Sequence, residues 1–329
     1  MSILKSASAV TAAWIAAAGL FLTARAQQSS DEIEVLRVRP NFYMIAGAGG
    51  NIAVQTGPDG AVLVDAGTLA ASDRVVAAIK KLTDQPVRFI INTGADADHV
   101  GGNGRLAKAG RSIFAMGTQP VGGEFAREMT NGYAASILAA ENVLLRVSAP
   151  TGKASPLPSE TWPTETFSES RRSIYFNQEG IQIVRVPAAH SDADSIVFFR
   201  RSDVIAVGDI FNVNSYPVMD LAHGGSIQGI IDGLNQILDL AVPAAKEEGG
   251  TMIVPGTGRL CDAADVAYYQ NMITIIRDRV EDMIKRGMTL EQVKAAKPTA
   301  DYDPRYGSTT GRWTTDMFVE AVYKSLGGK

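Results

Sequence analysis

The chain has 329 residues, 46% hydrophobic and 20% charged, the composition of a soluble globular protein with apolar material for one large core or two modest ones. Its formal net charge of −4 leaves no basic footprint, which sets nucleic-acid binding aside.

The N-terminus reads in three parts. "MSILK" carries one positive charge, "SASAVTAAWIAAAGLFLTA" is apolar, and Ala24-Arg25-Ala26 is a small-residue cleavage site before the polar "QQSSDE". This layout predicts a signal peptide over residues 1–26 and a periplasmic or secreted domain over 27–329. The competing reading is an uncleaved anchor, against which the short apolar run speaks. No other run is long enough for a stable span once the signal is removed. Cys261 is the single cysteine, so no intramolecular disulfide forms, and its expected role is that of a buried small apolar residue.

From Ile33 onward short strands are expected at "IEVLRVRP", "FYMIAG", "NIAVQTG" and "AVLVDAG", with "GPDG" as a hairpin turn. In "LAASDRVVAAIKKLTD" the residues Val75, Val76, Ile79 and Leu82 fall at helical spacing. "PVRFIINTG" is a buried-type strand, "GGNGRLAKAG" a short helix and "SIFAMG" a strand. A helical stretch is expected around "GEFAREMTNGYAASILAAENVL". The Ser-, Thr- and Pro-rich segment after it makes 118–170 a surface insertion. Strands resume at "SIYF", "IQIVRVPA", "SIVFFR" and "VIAVG". A long helix "SIQGIIDGLNQILDLAVPAAKEE", the strand "TMIVPGTG" and further helices complete the chain. Strands and helices thus alternate twice about a break near residue 170. That order fits two sheets face to face with helices outside, a four-layer αββα sandwich of the α/β class.

Five segments carry chemistry in a fixed order: "VLVDAG" (62–67), "NTGADADHVGG" (92–102), "AAHSDADS" (188–195), "AVGDIF" (206–211) and "VPGTG" (254–258). Together they resemble the metallo-β-lactamase-fold hydrolases. "NTGADADHVGG" is similar to the family's Asn-Thr-His-x-His-x-Asp-His-x-Gly-Gly loop, "AAHSDADS" to its His-Thr-x-x-Asp-Ser/Thr segment, and "VPGTG" to Val-Pro-Gly-His-Gly. "VLVDAG" and "AVGDIF" resemble strand ends where the family places Asp65 and Asp209. The resemblance implies a metal pair that activates water for attack on an ester, lactone, thioester, lactam or similar bond.

Carried over by position, the family's first metal would use residues 94, 96 and 190, and its second 98, 99 and 257, with 209 shared. This chain keeps Asp98, His99, His190 and Asp209, but has Gly94, Asp96 and Thr257 where histidines are usual. Only three histidines remain in the whole sequence: His99, His190 and His223. The surviving metal set is therefore Asp96, Asp98, His99, His190 and Asp209, with Asp98 and His99 as the catalytic pair. Three protein ligands and open water positions suffice for a catalytic metal. A carboxylate-rich set favours harder cations such as Mn²⁺ or Fe²⁺ relative to Zn²⁺. The expectation is one divalent metal ion, with the second position not filled.

Asp65, Asp194, Tyr216, Asp220, His223 and Thr257 are expected to line the pocket or orient the ligands, and Asp192 to be solvated. The function so implied is an exported metal-dependent hydrolase of a small-molecule substrate. The alternative is a non-catalytic binding protein on the same fold.

Overall fold

The strand-rich reading of the chain corresponds to two sheets. The computed structural model describes residues 32–113, 133–150, 152–246 and 249–328; the segment expected as a signal peptide and most of "SIFAMG" and "GEFAREMTNGY" lie outside these. The first sheet holds seven strands in sequence order: β1 (Glu34–Arg39), β2 (Phe42–Ala46), β3 (Ile52–Gly57), β4 (Gly60–Val64), β5 (Val87–Asn92), β6 (Ser136–Ala140) and β7 (Glu165–Phe167). β1 to β4 form an antiparallel meander, and β4 to β7 run parallel. The second sheet takes β8 (Arg171–Phe176), β9 (Glu179–Arg185), β10 (Ser195–Phe199), β11 (Val204–Ala206) and β12 (Met252–Val254), in the order β12-β11-β10-β9-β8.

Alternation along each strand divides its side chains between two cores. Val62, Val64, Phe89 and Ile91 of the first sheet meet Ile181, Ile183, Val197 and Phe199 of the second. Phe42 packs edge-on to Phe199 across this layer at 4.8 Å. The intervening residues Leu63, Ile90 and Ile137 face outward onto α1 (Ser72–Leu82) and α3 (Asn103–Ala109), where Val75, Ile79 and Leu106 cover them, while Val100 of the short α2 (Ala97–Val100) joins the inner layer. Burial on both faces is why "FIIN" and "VIA" read as continuous apolar runs. Between β4 and β5 the register slips at Ala61/Val62, so that Val87 faces the helices while Phe89 faces the second sheet.

The outer face of the second sheet, with Val184, Ile196, Ile205 and Ile253, is covered by C-terminal helices. These are α5 (Ile227–Leu240), α6 (Ala263–Lys285), α7 (Leu290–Ala296), α8 (Asp303–Tyr306) and α9 (Thr315–Ser325), following α4 (Glu141–Val147) of the first half. The result is the αββα sandwich. α5 begins where Ser226 Oγ accepts a hydrogen bond from Gly229 N, and it ends at Leu240, three residues before Pro243. Among the described residues no helix is long and apolar enough to cross a membrane.

Two expectations for residues 118–170 need correction. Ser136–Ala140, expected as helix, is the strand β6, paired in parallel with β5 and β7. Alanine and leucine favour helix locally, but this slot is buried on both faces between two strands, and packing overrides propensity. With β7 also belonging to the first sheet, residues 136–167 contribute to the scaffold as well as to a surface loop.

Candidate metal centre

The candidate centre forms where the C-terminal ends of β5 and β11 meet the loop before β10. Asp65 follows β4 with φ +65°, a left-handed conformation that Asp tolerates better than most residues. Its carboxylate accepts hydrogen bonds from Thr93 N at 2.8 Å and Thr93 Oγ1 at 2.6 Å, which fixes the chain as it leaves β5. Asn92 and Asn103 bond to each other, and Asn92 Nδ2 also donates to His99 O, closing the loop onto α2 and α3.

His99 is buried inside this frame. Nδ1 lies 2.9 Å from Asp65 Oδ2 and Nε2 lies 3.0 Å from Asp209 Oδ2. Burial alone would lower the imidazole pKa, but Asp65 and Asp209 flank it and carry it well above its ordinary value. Asp209 shows the converse. Burial pushes its carboxyl up, yet the charge and hydrogen bond of His99, with His190 nearby, hold it at about 2.

Glycines let Asp209 sit there. Gly208 has φ +53°, and a Cβ on it would stand 2.4 Å from Thr93 Oγ1. A Cβ on Gly256 would stand 2.8 Å from Asp209 Oδ1. The Gly256 loop is tied to the first sheet by Asn51, whose Nδ2 donates to Pro255 O and Gly258 O, both at 2.9 Å.

His190 comes from the loop between β9 and β10, against which α5 packs without space for a side chain at Gly229. Nδ1 donates to Val218 O at 2.9 Å, which turns Nε2 toward Asp96 Oδ2, also at 2.9 Å. Burial would lower its pKa, but the bond to Asp96 and the charges of Asp209 and Asp194 raise it to about 9. The hydrogen bond from His190 in turn lowers the Asp96 pKa.

Asp96, His190 and Asp209 thus converge, each offering one ligand atom within 4.8 Å of the others. This donor set fits a divalent metal. It has two carboxylates and one imidazole whose second nitrogen is fixed by a backbone carbonyl, the arrangement that presents a ligating nitrogen in one orientation. Asp98 stands outside that triad. It is half-buried beside Gly50, and burial raises its pKa while His99 opposes the rise. His99 shares Asp209 with the triad but has its other nitrogen committed to Asp65. Gly94 leaves ordinary contact space, since a Cβ there would be 3.6 Å or more from the His99 ring.

The remaining residues are distributed as follows. Asp194 is buried and accepts from Ser191 N at 2.7 Å and Ser191 Oγ at 3.2 Å, and burial pushes its carboxyl to about 7. Asp220 caps the turn Leu221–His223 and pairs with His223 Nδ1 at 2.5 Å, leaving His223 exposed at the surface. Tyr216 points into the helical layer, where its ring stacks on Phe318 and its hydroxyl donates to Asp303 Oδ1 at 2.8 Å. Thr257 is half-buried in the loop beside Asp209. Asp192 is held rather than free in solvent, for its Oδ2 accepts from Asn142 at 2.9 Å.

Sequence reasoning missed Arg146. This α4 residue reaches Asp220 Oδ2 at 2.9 Å, Asp192 Oδ1 at 3.7 Å and Asp96 Oδ1 at 4.0 Å. No motif surrounds it, and only the fold brings three loops to its guanidinium. Thr93 was legible as part of "NTG", but its bond to Asp65 was not.

A family model of the metallo-β-lactamase superfamily matches residues 46–256, more than half of the chain. No curated protein sequence matches. Among solved structures, the stereoselective inverting sec-alkylsulfatase Pisa1 from Pseudomonas sp. superposes with a TM-score of 0.61 at 11% identity, over 89% of this chain and 50% of that one. The chain therefore spans about half the length of that enzyme. A metallo-β-lactamase from Pontibacter korlensis gives a TM-score of 0.51 at 13% identity over 74% of this chain and 99% of its own. The DIM-1 metallo-β-lactamase gives the same TM-score and identity, with 97% of its own chain covered. At such identities the likeness speaks for the fold, and the family match carries the assignment: the chain belongs to the metallo-β-lactamase superfamily.

Proposed function

We propose that the protein is an exported, metal-dependent hydrolase with a single metal held by Asp96, His190 and Asp209. The convergence of those three side chains from three separate segments is the observation that carries this reading. A divalent cation bound there supplies Lewis acidity toward a substrate oxygen and lowers the pKa of water. The chain supplies the rest. Asp98, whose pKa is raised by its half-buried position, accepts the proton of the attacking water. As the water oxygen bonds to the acyl carbon and the carbon–heteroatom bond breaks, Asp98 returns that proton to the leaving group. Acid and alcohol, amine or thiol are the products. His99 takes no proton from substrate; it holds Asp209 by its Nε2 hydrogen bond.

Treatment of the mature protein with a chelator should abolish hydrolysis of a neutral ester or lactone, and one equivalent of Mn²⁺, Fe²⁺ or Zn²⁺ should restore it. Asp98→Asn should bind metal yet lose at least about 100-fold in rate, the usual contribution of a general base. No turnover of ester, lactone, thioester or lactam by the loaded protein would leave the fold as a binding module.

A further inference from the structure

Two of the proposed metal ligands come from opposite halves of the sandwich. Asp96 follows β5 of the first sheet, and His190 lies in the loop before β10 of the second. They meet directly through the 2.9 Å bond between His190 Nε2 and Asp96 Oδ2. Nε2 cannot both donate to Asp96 and ligate a cation, because Nδ1 is already given to Val218 O. His190 therefore gives this bond up when a metal is held there, and its position has to be secured by other contacts.

Those contacts start from two laced loops. The His190 carbonyl accepts from Asp220 N at 2.8 Å, and Asp192 N donates to His223 O at 2.9 Å. A Cβ on Gly225 would stand 2.1 Å from the His190 carbonyl, so the two loops touch without a gap. Helix α4 then fastens the pair to the rest of the fold. Its Val143 and Val147 are buried in the layer between the sheets. Asn142 and Arg146, four residues apart and so on one face, reach the loops. Asn142 Nδ2 donates to Asp192 Oδ2 and Arg146 Nη2 to Asp220 Oδ2, both at 2.9 Å. Asp220 also pairs with His223, but that bond is internal to the turn.

Arg146 faces the other half as well, with Nη2 4.0 Å from Asp96 Oδ1. Its side chain is only 16% exposed, so its bond to Asp220 is less screened than a surface pair. We infer that Arg146 is a positioning residue: through Asp220 it holds the Val218 carbonyl on His190 Nδ1 and keeps Nε2 aimed at the metal position beside Asp96. This rests on the metal-centre reading and adds to it a residue that acts through another. Charge alone points the other way. A cation 4.0 Å from a ligand carboxylate repels a metal, so its removal on Coulombic grounds should tighten metal binding. Loss of the outer partners that orient a ligating histidine instead weakens metal binding about 10–100-fold.

The test is a competitive titration of zinc against a chromophoric chelator, with amide hydrogen exchange of the metal-free protein beside it. Arg146→Ala should weaken zinc binding about 10–100-fold. It should also speed exchange at Asp220 N–H at least about tenfold, while the amides of β10 and β11 keep their rates. Arg146→Lys, which can keep one charge-assisted bond to Asp220, should recover most of both. Asp220→Asn should weaken zinc binding too, and combining it with Arg146→Ala should add little, because the two residues act as one unit. Zinc binding by Arg146→Ala that equals or exceeds the wild type, or fully additive losses in the double variant, would overturn the inference. Failure of the metal reading looks different. A wild type that takes up no zinc removes the metal centre; faster Asp220 exchange in Arg146→Ala then still supports the hold on His190, and unchanged exchange overturns that too.

Discussion

His99 and Asp209 are joined by a 3.0 Å contact between Nε2 and Oδ2 that crosses from the first sheet to the second. The same imidazole reaches Asp65 at 2.9 Å, so one buried ring separates two carboxylates. This arrangement accounts for how a site short of histidines stays ordered, because His99 acts on Asp209 as a neighbour does on a ligand.

Removing that ring should be costly. His99→Ala leaves Asp65 and Asp209 facing each other without the cation between them, and loss of one partner of a buried pair typically costs about 3–5 kcal/mol. Urea unfolding of the variant should show a loss of that order. The double variant with Asp65→Asn should recover part of it, since one of the stranded charges is then gone.

The metal-free protein should lose stability as pH rises. The folded-state pKa of His190 is raised to about 9, so its contribution is fully present below its unfolded value near 6.5 and is lost between there and about 9. His99, raised in the same way, adds to the trend with the same sign. Because Asp96, the partner of His190, is partly solvent-exposed, the His190 share is discounted to about 1–2 kcal/mol. Denaturant midpoints at pH 6 and pH 9.5, after chelation, measure it, and His190→Asn should reduce the dependence, leaving the part due to His99. Metal uptake competes with these protons, so metal affinity should rise over the same range with proton release.

Two glycines of the site should respond unequally to alanine. At Gly208 a methyl meets Thr93 Oγ1 at 2.4 Å in a backbone conformation with φ +53°, so Gly208→Ala should cost about 1–3 kcal/mol and displace Asp209. At Gly94 the nearest atom is 3.6 Å away, which is ordinary contact. Gly94→Ala should therefore change stability by no more than about 0.5 kcal/mol. Thermal unfolding and metal retention of the two variants, side by side, check both statements.

How far the sequence discloses this molecule differs between scaffold and site. Period-two alternation exposes β9, short continuous apolar runs expose β4 and β10, and helical spacing at Val75, Ile79 and Leu82 exposes α1, because those patterns are set by local geometry and burial. Ser136–Ala140 misleads because its strand state is imposed by β5 and β7 on either side, which no local window contains. The site residues Asp96, His190 and Asp209 are visible through segment order. Their companions are less so. Tyr216 is a core residue fixed by Phe318 and Asp303 from helices more than 80 positions later in the chain. Arg146 owes its place to three loops that only the fold brings together.

The most direct measurement is the metal content of the protein, purified without a histidine tag or chelator, by inductively coupled plasma mass spectrometry. The account predicts close to one equivalent of a divalent metal in the wild type, and its loss in His190→Ala and Asp209→Ala. No metal after incubation with Mn²⁺, Fe²⁺ and Zn²⁺, or full retention in both variants, would contradict it.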